Sequence, residues 1–322
     1  MDPLSDVLSL LKPRTYVSGG FDAGGDWAIQ FPQKDGIKCY AVVSGACWLS
    51  VEGVTEPVHL QTGDCFLLPT GRPLRLASDL VLAPIDASAF YATGRNGGIV
   101  SFNGGGSCFI VGGHFTLTGG PARILLGALP PIVHLQTESD KAALRWSLER
   151  MRQELREQRP GGVLVTQQLA HMMLVQALRL HLESGGSVGW MSALSDRQLS
   201  SAMNAMHEKP AHRWTLQTLA ERAGMSRTIF TLRFKKTVGS SPMEYLTRWR
   251  MLLAGDRLQH TADAVSEIAL SLGYESESAF SKAFKRVMGC SPRQYARGCS
   301  PSSDWISSQE ASSISHLERV GA

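Results

Sequence analysis

The sequence predicts a two-domain β + α chain. A β-barrel or sandwich with a helical hairpin comes first, then an all-α domain with two helix-turn-helix units. Three observations carry that reading. The first half is broken into short runs rich in apolar and aromatic residues, separated by Gly, Pro, Asp and Asn. Residues 138–183 switch to a helical apolar period. Residues 214–295 contain the same stretch twice, 49 to 50 residues apart. Two copies are too few for a solenoid and mark a duplicated small unit.

The chain has 322 residues, 43% hydrophobic and 19% charged, enough to bury a core in each of two domains. No apolar run approaches the ~20 residues of a membrane span, so no membrane partner is expected. Met1-Asp2-Pro3-Leu4 opens neither a basic n-region nor an apolar stretch, which argues against a signal peptide. Six cysteines (Cys39, Cys47, Cys65, Cys108, Cys290, Cys299) show neither CxxC nor zinc-like spacing. These features together read as a cytoplasmic, reduced protein.

In chain order, Leu4 to Leu11 reads as a short amphipathic helix. Strand runs follow at Trp27–Phe31, Tyr40–Val43, Cys47–Val51, Cys65–Leu68 and Cys108–Val111, with the turn-rich spacing of an all-β domain. The run Asn103-Gly104-Gly105-Gly106 is a turn: neither GK[ST] nor a GxGxxG helix accompanies it. Small barrels can enclose one ligand. Trp27, Tyr40, Trp48 and Arg75 are the candidate lining of an effector pocket. Ordinary core aromatics and a surface arginine are the competing reading. Cys39 beside Lys38 raises a second option, an oxidant-responsive switch, although adjacent strand residues point to opposite faces.

From Glu138 to Glu183 the pattern is helical, with one stripe at Leu144, Leu148, Met151 and Leu155. A second lies near Leu169, Met172, Met173, Gln176 and Leu180. Pro160-Gly161-Gly162 divides them into an antiparallel hairpin. Residues 184–194 then read as a flexible tether. The tail, 300–322, is serine-rich and acidic and is expected to be disordered.

In the duplicated region, Ala220 pairs with Ala269, Gly224 with Gly273, Phe230 with Phe280, Phe234 with Phe284 and Lys235 with Lys285. Each copy reads as a short helix, a glycine where the chain leaves it, a serine N-cap at Ser226 or Ser276, and a second helix. The phenylalanines, four apart, face inward. Outward positions are then Thr228, Thr231, Leu232 and Lys235 in the first copy, and Ser278, Ser281, Lys282 and Lys285 in the second. Arg227 and Glu277 stand near the two N-termini. Hydroxyls that permit close approach, beside cations that reach phosphates or guanine edges, suit a helix in a DNA major groove. Charge agrees. Residues 195–299 carry 16 Lys and Arg against 9 Asp and Glu, net +7, whereas residues 1–194 carry 15 against 16. One basic domain on a near-neutral body is the footprint of a nucleic-acid binder.

The segments LAERAGMSRTIFTLRFKKTVGSSPMEYL, RWRMLLAGDRL and IALSLGYESESAFSKAFKRVMGCSPRQYAR resemble the DNA-binding domain of the AraC/XylS family of bacterial transcription regulators. The resemblance covers residues 195–299. It implies two helix-turn-helix modules joined by one long helix, with readout helices in successive major grooves ~34 Å apart. Leu232 is a departure, standing where many relatives carry a base-reading arginine. It points to thymine-methyl contact or to less stringent reading by the first module. The segment VVSGACWLSVEG…VHLQTGDCFLLPTGRPLRL is similar to the cupin-type sensor domain of such regulators, over residues 15–135. Gly45, Gly53, Gly63-Asp64, Pro69 and Gly71 sit where that pattern turns its strands.

Related sensor domains hold histidines where Tyr40 and Leu74 stand here, and His59, His114 and His134 are scattered singly, so neither metal nor cofactor is expected. The resulting expectation is a sensing and DNA-reading regulator without catalytic residues. A cupin-like domain spans 1–137, a dimerising hairpin 138–183, a linker 184–194 and the DNA-binding domain 195–299. Its expected partners are promoter DNA, RNA polymerase, a small-molecule effector and a second copy of the chain, with activation favoured over repression. A cupin-type enzyme with an accessory helical domain is the alternative, as is a redox-responsive regulator using the barrel cysteines.

Overall fold

The computed structural model describes residues 2–11, 14–92, 98–116, 129–184 and 189–298. It divides into a β-rich unit and a helical unit. The expected tail, 300–322, and the centre of the expected linker, 185–188, lie outside the described residues.

The β-rich unit contains β1 (Arg14–Ala23), β2 (Ala28–Phe31), β3 (Ile37–Ser44), β4 (Ala46–Val51), β5 (Val58–Gln61) and β6 (Cys65–Leu68). Next come β7 (Leu74–Ala77), β8 (Ile85–Asp86), helix α2 (Ala87–Ala92), β9 (Ile99–Phe102), β10 (Cys108–Thr116) and β11 (Val133–Leu135). The strands form one sheet in the order β11-β6-β3-β10-β1-β9 and a second in the order β5-β4-β7-β2-β8. The expected barrel is therefore not closed: two open sheets enclose the core. The chain crosses between them at Gly45, between β3 and β4. That residue has φ 87°, and a Cβ there would lie 2.0 Å from the Ser107 carbonyl oxygen, so only glycine fits. The core takes the inward residues of both sheets, among them Ile29, Val42, Leu49, Phe66, Leu76 and Ile110.

A helical hairpin covers the outer face of the larger sheet. Its helices are α3 (Glu138–Glu157) and α4 (Gly162–Glu183). Helix α3 starts at a capping box in which the Thr137 hydroxyl accepts from the Asp140 amide and the Asp140 carboxylate accepts from the Thr137 amide. Its buried stripe, Leu144, Leu148, Met151 and Leu155, is the expected one. In α4 the stripe is rotated. Leu169 and Met173 are buried with Ala170, Leu174, Ala177 and Leu178, whereas Met172, Gln176 and Leu180 are half-exposed. Helix α4 packs on both α3 and the sheet, which centres its buried face on small alanines that permit close approach. A short helix, α5 (Trp190–Ser195), ends this unit and occupies part of the expected linker.

The helical unit contains α6 (Arg197–Glu208), α7 (Leu216–Arg222), α8 (Arg227–Val238), α9 (Pro242–His260), α10 (Val265–Ser271), α11 (Glu277–Met288) and α12 (Pro292–Ala296). The duplication is structural. Ser226 and Ser276 cap α8 and α11, accepting from the amides of Ile229 and Ala279, and Gly239 and Gly289 end them at φ 80°. Phe230, Phe234, Phe280 and Phe284 are fully buried. Phe234 meets Tyr245 edge-on at 5.9 Å, and Phe284 meets Tyr295 the same way at 5.4 Å. Helix α9 joins the copies, capped by Ser241 with Glu244 reaching back to the Ser241 amide.

The N-terminal helix, α1 (Pro3–Leu11), belongs to this helical unit, although its place in the sequence is at the head of residues 1–137. It packs on α6 and α9 with Leu4, Val7 and Leu8 buried. His207 on α6 lies beneath it, 3.2 Å from the Asp6 carboxylate and 2.8 Å from the Tyr245 hydroxyl, and stacks on Trp249 at 4.0 Å. A neutral ring donating from Nδ1 to Asp6 and accepting from Tyr245 at Nε2 satisfies all three groups. Burial holds its pKa down at about 3.

Candidate nucleic-acid interface

Each of α8 and α11 buries one face through its phenylalanines and leaves the opposite face in water. On α8, Arg227, Thr228, Leu232 and Lys235 are exposed; on α11, Glu277, Ser278, Lys282 and Lys285 are. Thr231 and Ser281 are half-buried. The Thr231 hydroxyl donates to the Arg227 carbonyl at 2.8 Å, which holds it against its own helix. The hydroxyls of Ser226 and Ser276 are likewise engaged as caps. Glu277 faces Arg293 across 3.8 Å, with both side chains largely exposed.

Four outward residues escaped the sequence reading: Ile229, Lys236, Ala279 and Arg286, all exposed. The helical angle that selects Leu232 and Lys282 also brings these four within about a quarter turn of the outward centre. That arithmetic, taken on both sides of the centre, was the signal available. The flank of α8 is fixed instead by Arg233, which donates to Asp196 at 2.5 Å and to Gln198 at 2.9 Å and so anchors α8 to the start of α6. Between the copies, the Arg250 guanidinium donates to the carbonyls of Pro210 and His212 and lies over the Tyr274 ring at 5.7 Å. These contacts hold α8 and α11 on one framework.

Residues 219–298 match the helix-turn-helix domain model, and residues 2–183 match the cupin model. An AraC-like transcription regulator of Streptomyces antibioticus is 43% identical over 92% of this chain and 99% of its own length. The chain belongs to the AraC family of transcription regulators. It pairs a cupin-like ligand-binding domain with an AraC-type DNA-binding domain. Two further relatives are more distant. The transcriptional regulator AlkR of Acinetobacter baylyi is 29% identical over 84% of this chain and 91% of its own. The RCS-specific transcriptional activator RclR of Escherichia coli is 29% identical over 92% of this chain and 97% of its own.

In the cupin-like domain the four candidate lining residues do not converge. Trp27 is buried in the core edge-on to Phe21 at 5.5 Å, and Tyr40 packs on the same core beside Phe66 at 5.6 Å. Trp48 and Arg75 alternate with the inward residues Leu49, Leu74 and Leu76, so they lie on the outer face of the smaller sheet. There Trp48 meets the His59 ring at a tilt, 4.7 Å between centroids, while Arg75 sits between Gln30 and Ser50 and donates to the carbonyls of Leu80 and Leu82.

The remaining histidines have separate partners. His114 meets the Asp35 carbonyl at 2.8 Å, and His134 meets Asp64 at 3.1 Å, where Lys141 also pairs at 3.2 Å. The cysteines, in contrast, come in twos. The Cys47 and Cys108 thiols are hydrogen-bonded to each other across the two sheets, and those of Cys39 and Cys65 across β3 and β6. The contact lowers the Cys108 pKa while raising that of Cys47, and burial raises Cys47 further.

Proposed function

We propose that this regulator acts as a homodimeric activator of transcription in the cytoplasm. Its two readout helices would lie in successive major grooves of promoter DNA, and its cupin-like domain would respond to a small molecule. The observation that carries the reading is the pair of in-register helices whose outward faces both end in adjacent cations, Lys235–Lys236 and Lys285–Arg286. Those cations suit phosphates, and the residues nearer the N-termini (Arg227, Thr228 and Leu232; Glu277, Ser278 and Lys282) suit base edges.

Dimerisation is supported by the hairpin, where Trp146 on α3 is 66% exposed and Val163 and Leu164 on α4 are 73% and 66% exposed. Val163 and Leu164, neighbours at the start of α4, would serve as an association surface. Activation is supported by the likeness to RclR, a transcriptional activator, and would make RNA polymerase a partner. A non-enzymatic sensor fits the separate engagements of His59, His114 and His134, and Trp27 and Tyr40 are the candidate lining residues that face the core.

The test is binding of the full chain to its own upstream DNA against a scrambled duplex, across a salt series. Strong preference for the native site, with affinity falling steeply in salt, is expected. Equal binding to both duplexes, with and without cell-extract metabolites, would refute specific regulation.

A second reading is an oxidant-responsive regulator. It is favoured by the Cys47–Cys108 pair, which joins the two sheets through one hydrogen bond. Intact-mass and peptide analysis after hydroperoxide treatment would show a Cys47–Cys108 disulfide or remove this reading.

A further inference from the structure

The two readout helices share a frame but not a surface. Counted from the N-cap serine, the third residue is Ile229 in α8 and Ala279 in α11, and the sixth is Leu232 in α8 and Lys282 in α11. Ile229 is 58% exposed and Leu232 67% exposed. They stand three apart and therefore adjoin on the helix surface. Packing within the unit does not account for them, because Phe230 and Phe234 fill the buried face and Arg233 ties down the flank. Both lie in the half of the helix that reaches base edges in a major groove. The C5-methyl of thymine is the apolar group exposed there.

At the same two places α11 offers a small side chain and a cation, and guanine presents the acceptors N7 and O6 to such a cation. The flanking cations match: Lys235 and Lys236 on α8, Lys285 and Arg286 on α11. Attraction to phosphates at the C-terminal ends is thus alike for both helices, and the differences lie nearer the N-termini, in Arg227 against Glu277 and in the central pair.

We propose that the chain reads a chemically split operator. Ile229 and Leu232 of α8 select a thymine-bearing half-site by methyl contact, and Lys282 of α11 selects a guanine-bearing half-site about one helical turn away. This rests on the reading above that both helices enter the major groove. Apolar contact does not resolve neighbouring thymines sharply, so the α8 half-site tolerates shifts of thymine between adjacent positions. The α11 half-site does not.

The test begins with duplexes selected from a random pool by the full chain. Replacing thymine with uracil removes the C5-methyl and leaves every hydrogen-bonding group in place. In the α8 half-site this substitution should weaken binding about fourfold per contacted thymine and in the α11 half-site leave it unchanged. Replacing guanine with 7-deazaguanine, which removes N7, should show the reverse pattern. L232A, at an exposed position outside the core, should weaken binding to the thymine duplex and abolish the response to uracil at its contact. I229A should do the same at the neighbouring contact. A selected site that keeps full affinity with uracil at every thymine would overturn the methyl readout while leaving sequence-specific DNA binding intact. Failure of the full chain to enrich any sequence would overturn both readings.

Discussion

Acidification should loosen the helical unit through His207. Its side chain is fully buried between α1, α6 and α9, and burial lowers its pKa from 6.5 to about 3. In the unfolded chain the ring takes up a proton near pH 6.5, while the folded unit keeps it neutral. The unfolded state therefore binds more protons throughout this window, and stability rises with pH across it. The contribution is fully present above about pH 6.5 and declines as pH falls towards 3. Between pH 6.5 and about pH 5 the loss is about 2 kcal/mol, at 1.36 kcal/mol per pH unit.

Asp6, which faces the ring, has its own pKa raised, chiefly by burial, so it contributes in the opposite sense to His207. The assay is amide hydrogen exchange on the full chain, read as protection of α1, α6 and α9 at several pH values. The H207Q variant keeps a polar group in place but cannot titrate, so its protection should be flat where that of the parent falls. Parallel slopes in the two proteins would refute the assignment to His207.

K282A should weaken specific binding by about 1–3 kcal/mol, with the loss confined to one half-site; a uniform loss across site variants would make Lys282 a phosphate contact. F284A should destabilise the helical unit by about 3–5 kcal/mol, because a fully buried ring packed on Phe280 and Tyr295 leaves a cavity; thermal unfolding reads it. G273A should cost more than the ~1 kcal/mol of an ordinary Gly-to-Ala strain, since φ is 80° and the new Cβ would lie 2.3 Å from the Ala211 carbonyl oxygen. L164D, on the exposed side of the hairpin, should shift sedimentation towards monomer while lowering the unfolding free energy of the chain by no more than about 1 kcal/mol; unchanged sedimentation would move the dimer surface elsewhere.

The sequence by itself determined what depends on neighbours along the chain. Serine caps at 226 and 276, inward phenylalanines four apart and the break at Pro160-Gly161-Gly162 are set by helical geometry that spans only a few residues. The duplication made those signals firm, because the same residues recur at the same offsets. What only the tertiary structure decided involves distant partners. Whether Trp48 and Arg75 face the core or the solvent depends on which sheet their strands join, and strand alternation fixes relative faces but not the absolute one. The α4 stripe turned away from Met172 and Gln176 because a sheet, as well as α3, packs on that helix. The hydroxyl of Thr231 is held by its own backbone, while Ile229 stands in water where a hydrophobic residue reads as core. Helix α1 is amphipathic by pattern, but its partner is α6 and α9, some 200 residues on. Local periodicity says that a face must be covered; only the fold says what covers it.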